Sequence, residues 1–116
     1  MRRCYRDGAD GVIALEKKAK KNAPDGLLKR LAVMEDKWDE IQTLAGTAPK
    51  ASEIYHVLEE MEAAKVPADV GIPRQYVYDS IRYGKELRDR YTILQLMWDI
   101  GKLDEAAEEL VGKYCS

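Results

Sequence analysis

The residues that could carry chemistry in this chain of 116 residues are few, and the most suggestive group surrounds its single histidine. Glu59 and Glu60 follow His56 at i+3 and i+4, a spacing that places two metal-ligand types on one face of a helix. A catalytic metal needs at least three convergent protein ligands, and His56 with either Glu59 or Glu60 supplies only two. We therefore predict that His56 lies on the exposed flank of an amphipathic helix beside solvated glutamates, rather than at a metal.

Other kinds of reactive site are also weakly indicated. Nucleophilic catalysis needs an activated side chain beside a base, yet Cys4 and Cys115 both lie far from His56 in sequence. They have no CxxC spacing, so we expect two reduced thiols in a cytoplasmic protein. Gly8 and Gly11 are the nearest approach to a phosphate-binding loop, but no strand is predicted before them. We predict no catalytic, cofactor-binding or metal-binding residue in this chain.

A run of four lysines is the one concentrated charge of the sequence. Lys17, Lys18, Lys20 and Lys21 fit the C-terminal end of a helix, where positive charge is favourable and usually solvated. They also fit a patch for nucleic acid or anionic lipid, which normally includes interleaved aromatic residues that are missing here. A net charge of −2 gives no reason to expect nucleic acid, and apolar runs of only a few residues exclude a membrane-spanning segment.

The elements that must position these residues are helices. Proline and glycine positions cut the sequence into helix-sized pieces, and each piece has a 3.6-residue apolar rhythm with no period-two alternation. We predict a single all-α domain over residues 1–116, a compact bundle of five or six helices. The expected inward residues are Leu27, Leu31, Met34, Trp38, Ile41 and Leu44 in one helix, Ile54, Leu58 and Met61, then Val77, Ile81 and Leu87, then Ile93, Leu94, Met97 and Ile100, and finally Ala107, Leu110, Val111 and Tyr114. Core packing is also expected for most aromatic rings, including Trp98.

A charged corner separates two of these helices near the C-terminus. Arg88 and Arg90 flank Asp89 where one helix is expected to end, and Thr92 is placed to cap the next helix. The two guanidinium groups could bind neighbouring carboxylates or carbonyls. Gly101 is predicted to end the following helix in a left-handed conformation.

The same corner belongs to a longer resemblance. Trp38 and Ile41, the Lys65-Val66-Pro67 and Asp69-Val70-Gly71-Ile72 segments, the Glu86-Leu87-Arg88-Asp89-Arg90-Tyr91-Thr92 corner and residues 94–103 follow one another in an order that resembles the C-terminal end of the sn-glycerol-1-phosphate dehydrogenases. These enzymes belong to the iron-dependent alcohol dehydrogenase superfamily. The resembling region is about residues 38–107, preceded by additional helices in residues 1–37.

The resemblance implies a parent enzyme whose chemistry lies outside this chain. Full-length relatives reduce dihydroxyacetone phosphate with NAD(P)H at a divalent metal, using a Rossmann-like domain and a ligand set of one Asp and two His. Those features precede the region that is matched here. We therefore expect a structural role for this chain, no catalysis by the chain alone, and no cofactor bound to it.

Two functions of different classes are consistent with these patterns. In the first, the chain is the C-terminal helical fragment of such an NAD(P)-dependent oxidoreductase, and its partner is the missing N-terminal part or a second copy in a homodimer. In the second, it is an independent helical module that binds a partner protein through the stripe Leu27, Leu31, Met34 and Trp38. The first predicts an exposed apolar patch where other helices would pack.

Overall fold

The structure is a computed structural model that describes residues 1–115. Within these residues all regular structure is helical, which confirms the predicted all-α class. The helices are α1 (Arg2–Tyr5), α2 (Ala9–Ala19), α3 (Pro24–Asp36), α4 (Trp38–Ala45), α5 (Ala51–Glu60), α6 (Arg74–Tyr83), α7 (Ile93–Asp99) and α8 (Leu103–Tyr114), with 3₁₀ turns at Arg6–Gly8, Pro67–Val70 and Gly84–Glu86. Apart from the single turn of α1, the described part of the chain holds seven helices, more than the predicted five or six.

The extra helix arises because one predicted helix is two. The apolar stripe predicts a continuous helix from Pro24 to Gly46, but the helix breaks at Lys37, whose backbone leaves the helical region at φ −109° and ψ 17°. Pro24 occupies the first turn of α3, where its missing N–H leaves no helical hydrogen bond unmade. The break interrupts the predicted stripe, and Leu44 beyond it is 72% exposed.

The packed part of the molecule joins the two ends of the chain. Helix α6 packs along α8, α7 packs on both α8 and α3, and α1 lies against α2 and α6. The small apolar core consists of Ala9, Met34, Leu103, Ala107 and Val111. Most of the core comes from α8, whose predicted inward residues Ala107 and Val111 are therefore confirmed.

Several predicted core residues are instead exposed to solvent. Leu44 is 72% exposed and Ile93 is 61% exposed, and the same correction applies to Trp38, Ile54, Met61, Leu87 and Leu110. For Leu87 and Ile93 the reason is that polar or charged residues of α7 and of the 3₁₀ turn before it occupy the buried positions. The apolar faces of α4 and α5 are also largely uncovered.

Helices α4 and α5 form an arm that leaves the packed part. Helix α4 follows α3 after a single residue and has no other substantial helix contact, and α5 has at most marginal contact with any other helix of residues 1–115. The radius of gyration is 16.3 Å, against about 13 Å for a typical domain of this length. Among the helices in the described residues, none has the length and apolar content needed to cross a lipid bilayer.

Candidate functional site

A polar cluster centred on the buried side chain of Asp99 joins α3 to α7. Arg30 donates to both carboxylate oxygens of Asp99, at 2.7 and 3.0 Å, and the side chain of Asp99 is fully buried. The Tyr91 hydroxyl donates to Asp99 at 3.0 Å, and the Gln95 amide donates at 2.9 Å. We call Arg30, Tyr91, Gln95 and Asp99 the Asp99 cluster. Its role is to tie the corner before α7 to a helix that lies far away in sequence.

The Asp99 cluster shifts the pKa values of its own members. Burial alone would raise the pKa of Asp99, but hydrogen bonds from Arg30, Gln95 and Tyr91 together outweigh it and hold that pKa below its ordinary value. Burial, followed by the hydrogen bond to Asp99, raises the pKa of Tyr91 above its ordinary value. Asp99 is thus an ionised acceptor and Tyr91 a neutral donor, which suits a structural clamp rather than proton transfer.

A second buried polar cluster lies beside the first. Lys85 and Glu86 are each 3% exposed, and their side chains form an ion pair with each other. The Lys85 ammonium stands 4.5 Å from the ring centroid of Trp98, in cation–π geometry. Asn22 links the two clusters, because its amide donates to Glu86 at 3.2 Å and its carbonyl accepts from Gln95 at 3.3 Å.

Two atoms of these clusters are buried without a partner. Within residues 1–115, Glu86 Oε2 and Gln95 Oε1 accept no hydrogen bond. Neither residue lines any of the three main surface cavities of the described chain, so these atoms point into packed protein rather than toward a ligand space.

Lys21 is the most unexpected member of the lysine run. Lys17, Lys18 and Lys20 lie toward solvent as predicted, but Lys21 is only 9% exposed. Its ammonium donates to the backbone carbonyls of Lys85 and of Arg88, the latter at 2.8 Å. The backbone turns left-handed at Lys20, with φ 53°, and this turn directs Lys21 inward.

The charged corner is therefore held by different atoms from those expected. The side chains of Arg88 and Arg90, which could have bound neighbouring carboxylates, make no ion pair within residues 1–115. The backbone of Arg88 and the hydroxyl of Tyr91 hold it instead. Thr92 does precede α7, but its hydroxyl makes no capping hydrogen bond. Gly101 ends α7 with φ 73°, and the Lys102 N–H bonds back to the carbonyl of Met97 at 2.8 Å, as predicted for a left-handed cap.

Above the Asp99 cluster lies an open apolar groove of about 620 Å³ between α3, α4 and the start of α7. We define the groove by its lining residues, which are Lys29, Arg30, Val33, Met34, Ile41, Leu44, Ala45, Tyr91, Thr92, Ile93 and Leu96. The only charged side chains among them are Lys29 and Arg30, and Arg30 is neutralised by Asp99. Lys29 has no ion pair within residues 1–115.

The groove can bind but is poorly equipped to react. Among its lining residues there is no histidine, cysteine or carboxylate to act as base or nucleophile, and the Tyr91 hydroxyl is occupied by Asp99. Apolar walls with one unpaired cation suit an amphipathic helix, whose apolar face would enter the groove.

The histidine, glutamate and glycine residues that could have carried chemistry do not converge. His56 pairs with Glu60 at 3.3 Å, and both side chains are 68% exposed, while Glu59 turns to Lys65. Gly8 ends a 3₁₀ turn and Gly11 lies inside α2, so neither belongs to a phosphate-binding loop.

The donor set does not fit the metal of the implied parent enzymes. No group of three or more His, Cys, Asp or Glu side chains within residues 1–115 is arranged to hold a metal ion. Cys4 and Cys115 are both free and partly exposed. The one Asp and two His that the resemblance implies are not supplied here, because His56 is the single histidine of the chain.

Sequence reasoning missed most residues of both polar clusters. The apolar stripe of α7 leaves Gln95 and Asp99 on the side expected to be solvated, although Gln95 is 0% exposed. The i,i+4 spacing of these two side chains was the available signal, but the same spacing is common on exposed faces.

Comparisons with known proteins add no identification. No protein-family model matches the sequence, and no curated protein or solved structure is significantly similar to it.

Proposed function

We propose that this chain is a non-catalytic helical segment that acts by packing its apolar groove against another polypeptide. The observation that carries the proposal is the groove itself, which lies open beside an arm with almost no packing of its own. Leu44 and Val33 line it with 72% and 61% of their surfaces exposed. A contiguous apolar surface of this kind on a small protein usually marks an interaction site.

The energetics favour a covered groove. Burying apolar surface releases about 25 cal/mol for each Å² removed from water, so covering several side chains at once stabilises a complex substantially. The rigid parts needed for binding are supplied by the Asp99 cluster, which fixes α3 against the start of α7 through Arg30. Two of the three groove walls, α3 and the start of α7, are thus held in place before any partner arrives, which lowers the entropic cost of association.

The proposed partner is the N-terminal part of a glycerol-1-phosphate dehydrogenase-like oxidoreductase, which would bring the NAD(P) and divalent-metal sites that this chain lacks. Support comes from the location of the resembling segments. Ile41, Tyr91, Thr92 and Leu96 belong to them and also line the groove. In this proposal the chain is a scaffold beneath an active site that is formed entirely by other residues.

The test begins with the coding DNA upstream of the Met1 codon, translated in all frames. If a Rossmann-like domain with one Asp and two His metal ligands is encoded there, it is co-expressed with this chain. We expect a stoichiometric complex that survives purification and is lost in Leu44→Asp, which places a charge in the groove. Val70→Asp is the matched control, because Val70 is 59% exposed but lies outside the groove. An upstream region that encodes no such domain would overturn the dehydrogenase partner.

A second candidate function is an independent helical module without a dehydrogenase parent. The observation in its favour is that α3, α4 and the start of α7 form the groove and need no further domain for its walls. The predicted stripe contributes only in part, since Met34 is the one residue of Leu27, Leu31, Met34 and Trp38 that lines the groove. A stoichiometric complex with a protein unrelated to dehydrogenases, again lost in Leu44→Asp, would favour this function.

A further inference from the structure

Two unpartnered apolar surfaces are present in the same chain. One is the groove, and the other is the face formed by Ile54 and Val57 of α5 and by Met61 directly after it, which are 50%, 51% and 70% exposed. These residues recur at i, i+3 and i+7, the spacing with which a helix enters a hydrophobic groove. In the single chain α5 stays away from the groove, so neither surface is covered by the other.

The charges of the two surfaces are opposite. Residues 51–62 contain four glutamates and no lysine or arginine. Glu59 and Glu60 pair with Lys65 and His56, and Glu62 makes no ion pair within residues 1–115. The charged side chains that line the groove are both basic, and Lys29 has no ion pair within residues 1–115. An acidic helix entering the groove would therefore meet an unpaired cation and no carboxylate among the lining residues, which favours this orientation over random contact.

One contact makes a small, weak interface, and two contacts make an interface of the size that specific complexes need. A helix of ten residues is about 15 Å long and, with the radius of a water molecule added, about 13 Å across. Half of its curved surface is therefore about 300 Å², and one helix in one groove buries on the order of 600 Å² counting both sides. Two such contacts bury on the order of 1,200 Å², which reaches the lower limit for specific interfaces. Two-fold symmetry supplies two identical contacts automatically, because each chain then gives a helix and receives one.

We propose that two copies of this chain form a symmetric dimer in which α5 of each copy occupies the groove of the other. This inference rests on the proposed function, because it requires that the groove binds another polypeptide. It names a second copy as the occupant when the chain is alone, and the upstream part would compete with that copy for the same groove. The linker of residues 46–50 joins α4, which is a wall of the groove, to the helix that leaves for the partner.

Sedimentation velocity over a range of protein concentrations tests the dimer. The variants are Leu44→Asp, which damages the groove, and Val57→Asp, which damages α5, with Val70→Asp as the control. All three side chains are more than half exposed, so folding should be unaffected, and circular dichroism checks this. We expect a dimer for wild type and Val70→Asp, and at least about tenfold weaker association for each of the other two variants.

Mixing the two damaged variants gives the sharpest result. The Leu44→Asp chain keeps an intact α5 and the Val57→Asp chain keeps an intact groove, so their mixture can form one of the two contacts. We expect a heterodimer in the mixture, weaker than the wild-type dimer and absent from either variant alone. Two variants that are monomeric alone and remain monomeric when mixed would overturn the exchange of α5.

Failure of the dimer can be separated from failure of the proposed function. A wild-type monomer that still forms the Leu44-dependent complex with the co-expressed upstream domain overturns the α5 exchange alone. A wild-type dimer that persists unchanged in Leu44→Asp overturns the groove as the self-association site, and an upstream complex that also persists in that variant overturns the proposed function.

Discussion

Four hydrogen bonds end on the two carboxylate oxygens of Asp99, from Arg30, Tyr91 and Gln95. This concentration of donors makes a single buried charge the link between α3 and α7. A buried ion pair is strongly destabilised when one partner is removed, because the other charge is left without compensation. The hydrogen bonds of Asp99 therefore stabilise the groove walls that α3 and the start of α7 form.

Replacing Asp99 tests this link directly. We expect Asp99→Asn to lower the free energy of unfolding by about 3 kcal/mol, because Arg30 keeps its charge in a largely buried position. Urea unfolding followed by circular dichroism measures the change. Asp36→Asn is the control, since Asp36 is exposed and makes no hydrogen bond through its side chain within residues 1–115. Equal stability of the two variants would contradict a clamping role for Asp99.

The lowered pKa of Asp99 also predicts an acid limb in the stability curve. Since the folded pKa lies below the unfolded value of about 3.9, the unfolded chain binds the proton first as the pH falls. The contribution of Asp99 is thus fully present above that value and is lost as the pH falls through the folded pKa. We expect the unfolding free energy to fall below about pH 4, less steeply in Asp99→Asn than in wild type. Parallel curves for the two proteins would count against the lowered pKa.

Lys21 makes the corresponding link at the end of α2. Its ammonium holds the carbonyls of Lys85 and Arg88, so Lys21→Met leaves two acceptors without their donor. We expect a loss of about 2 kcal/mol in unfolding free energy. Hydrogen exchange in residues 84–92 should become faster at the same time. The exposed Lys18 provides the control as Lys18→Met, and an equal effect of both variants would show that burial of Lys21 is unimportant.

At the scale of the elements, glycine positions have different costs. Gly101 has φ 73° in the cap of α7, whereas Gly112 lies inside α8 with open space around its Cα. Gly101→Ala should lower the free energy of unfolding by about 1 kcal/mol, because an added Cβ is disfavoured in the left-handed region. Gly112→Ala should raise it by about 0.5 kcal/mol through helix propensity. Thermal unfolding of both variants measures these changes in the free energy of unfolding. Changes of the same sign in both variants would contradict the left-handed cap at Gly101.

The same elements show which features a sequence can predict. The Gly101 cap and the helical class follow from local patterns, because a glycine after an apolar stripe and a 3.6-residue rhythm act within a few residues. The polar interior does not follow from local patterns, since Asp99 is paired with Arg30, which lies 69 positions away in the sequence. The exposed Leu44 and Ile93 fit helical stripes equally well, but a stripe does not say whether a neighbour exists to cover it.

The candidate site was predicted less well than the fold. Exposure of His56 agrees with the prediction, because charged neighbours at i+3 and i+4 describe a solvated helix face. The groove was not foreseen, because the apolar stripe predicts one continuous helix and gives no sign of the break at Lys37. Its walls also come from α3, from α4 and from the residues that follow the Arg88–Arg90 corner, which no local window contains together.

At the scale of the whole molecule, the arm of α4 and α5 is the main departure from close packing. Principal extents of 46, 40 and 21 Å describe a flat shape, and α5 contributes to it without a packed partner. A ten-residue helix alone in water is marginal, since isolated helices shorter than about 12 residues rarely persist. The stability of α5 therefore depends on what covers its apolar face, and so does the proposed role of the groove.

Hydrogen exchange in Ala51–Glu60, followed by mass spectrometry at increasing concentrations of the wild-type chain, tests the central claim most directly. The central claim is that the groove is a docking surface for a helix and that α5 of a second copy occupies it. We predict that the α5 amides exchange almost freely in dilute solution and become protected as the concentration rises, while those of α8 stay protected throughout. Free exchange of α5 at every concentration would contradict this claim, and so would protection that is already complete in the most dilute sample.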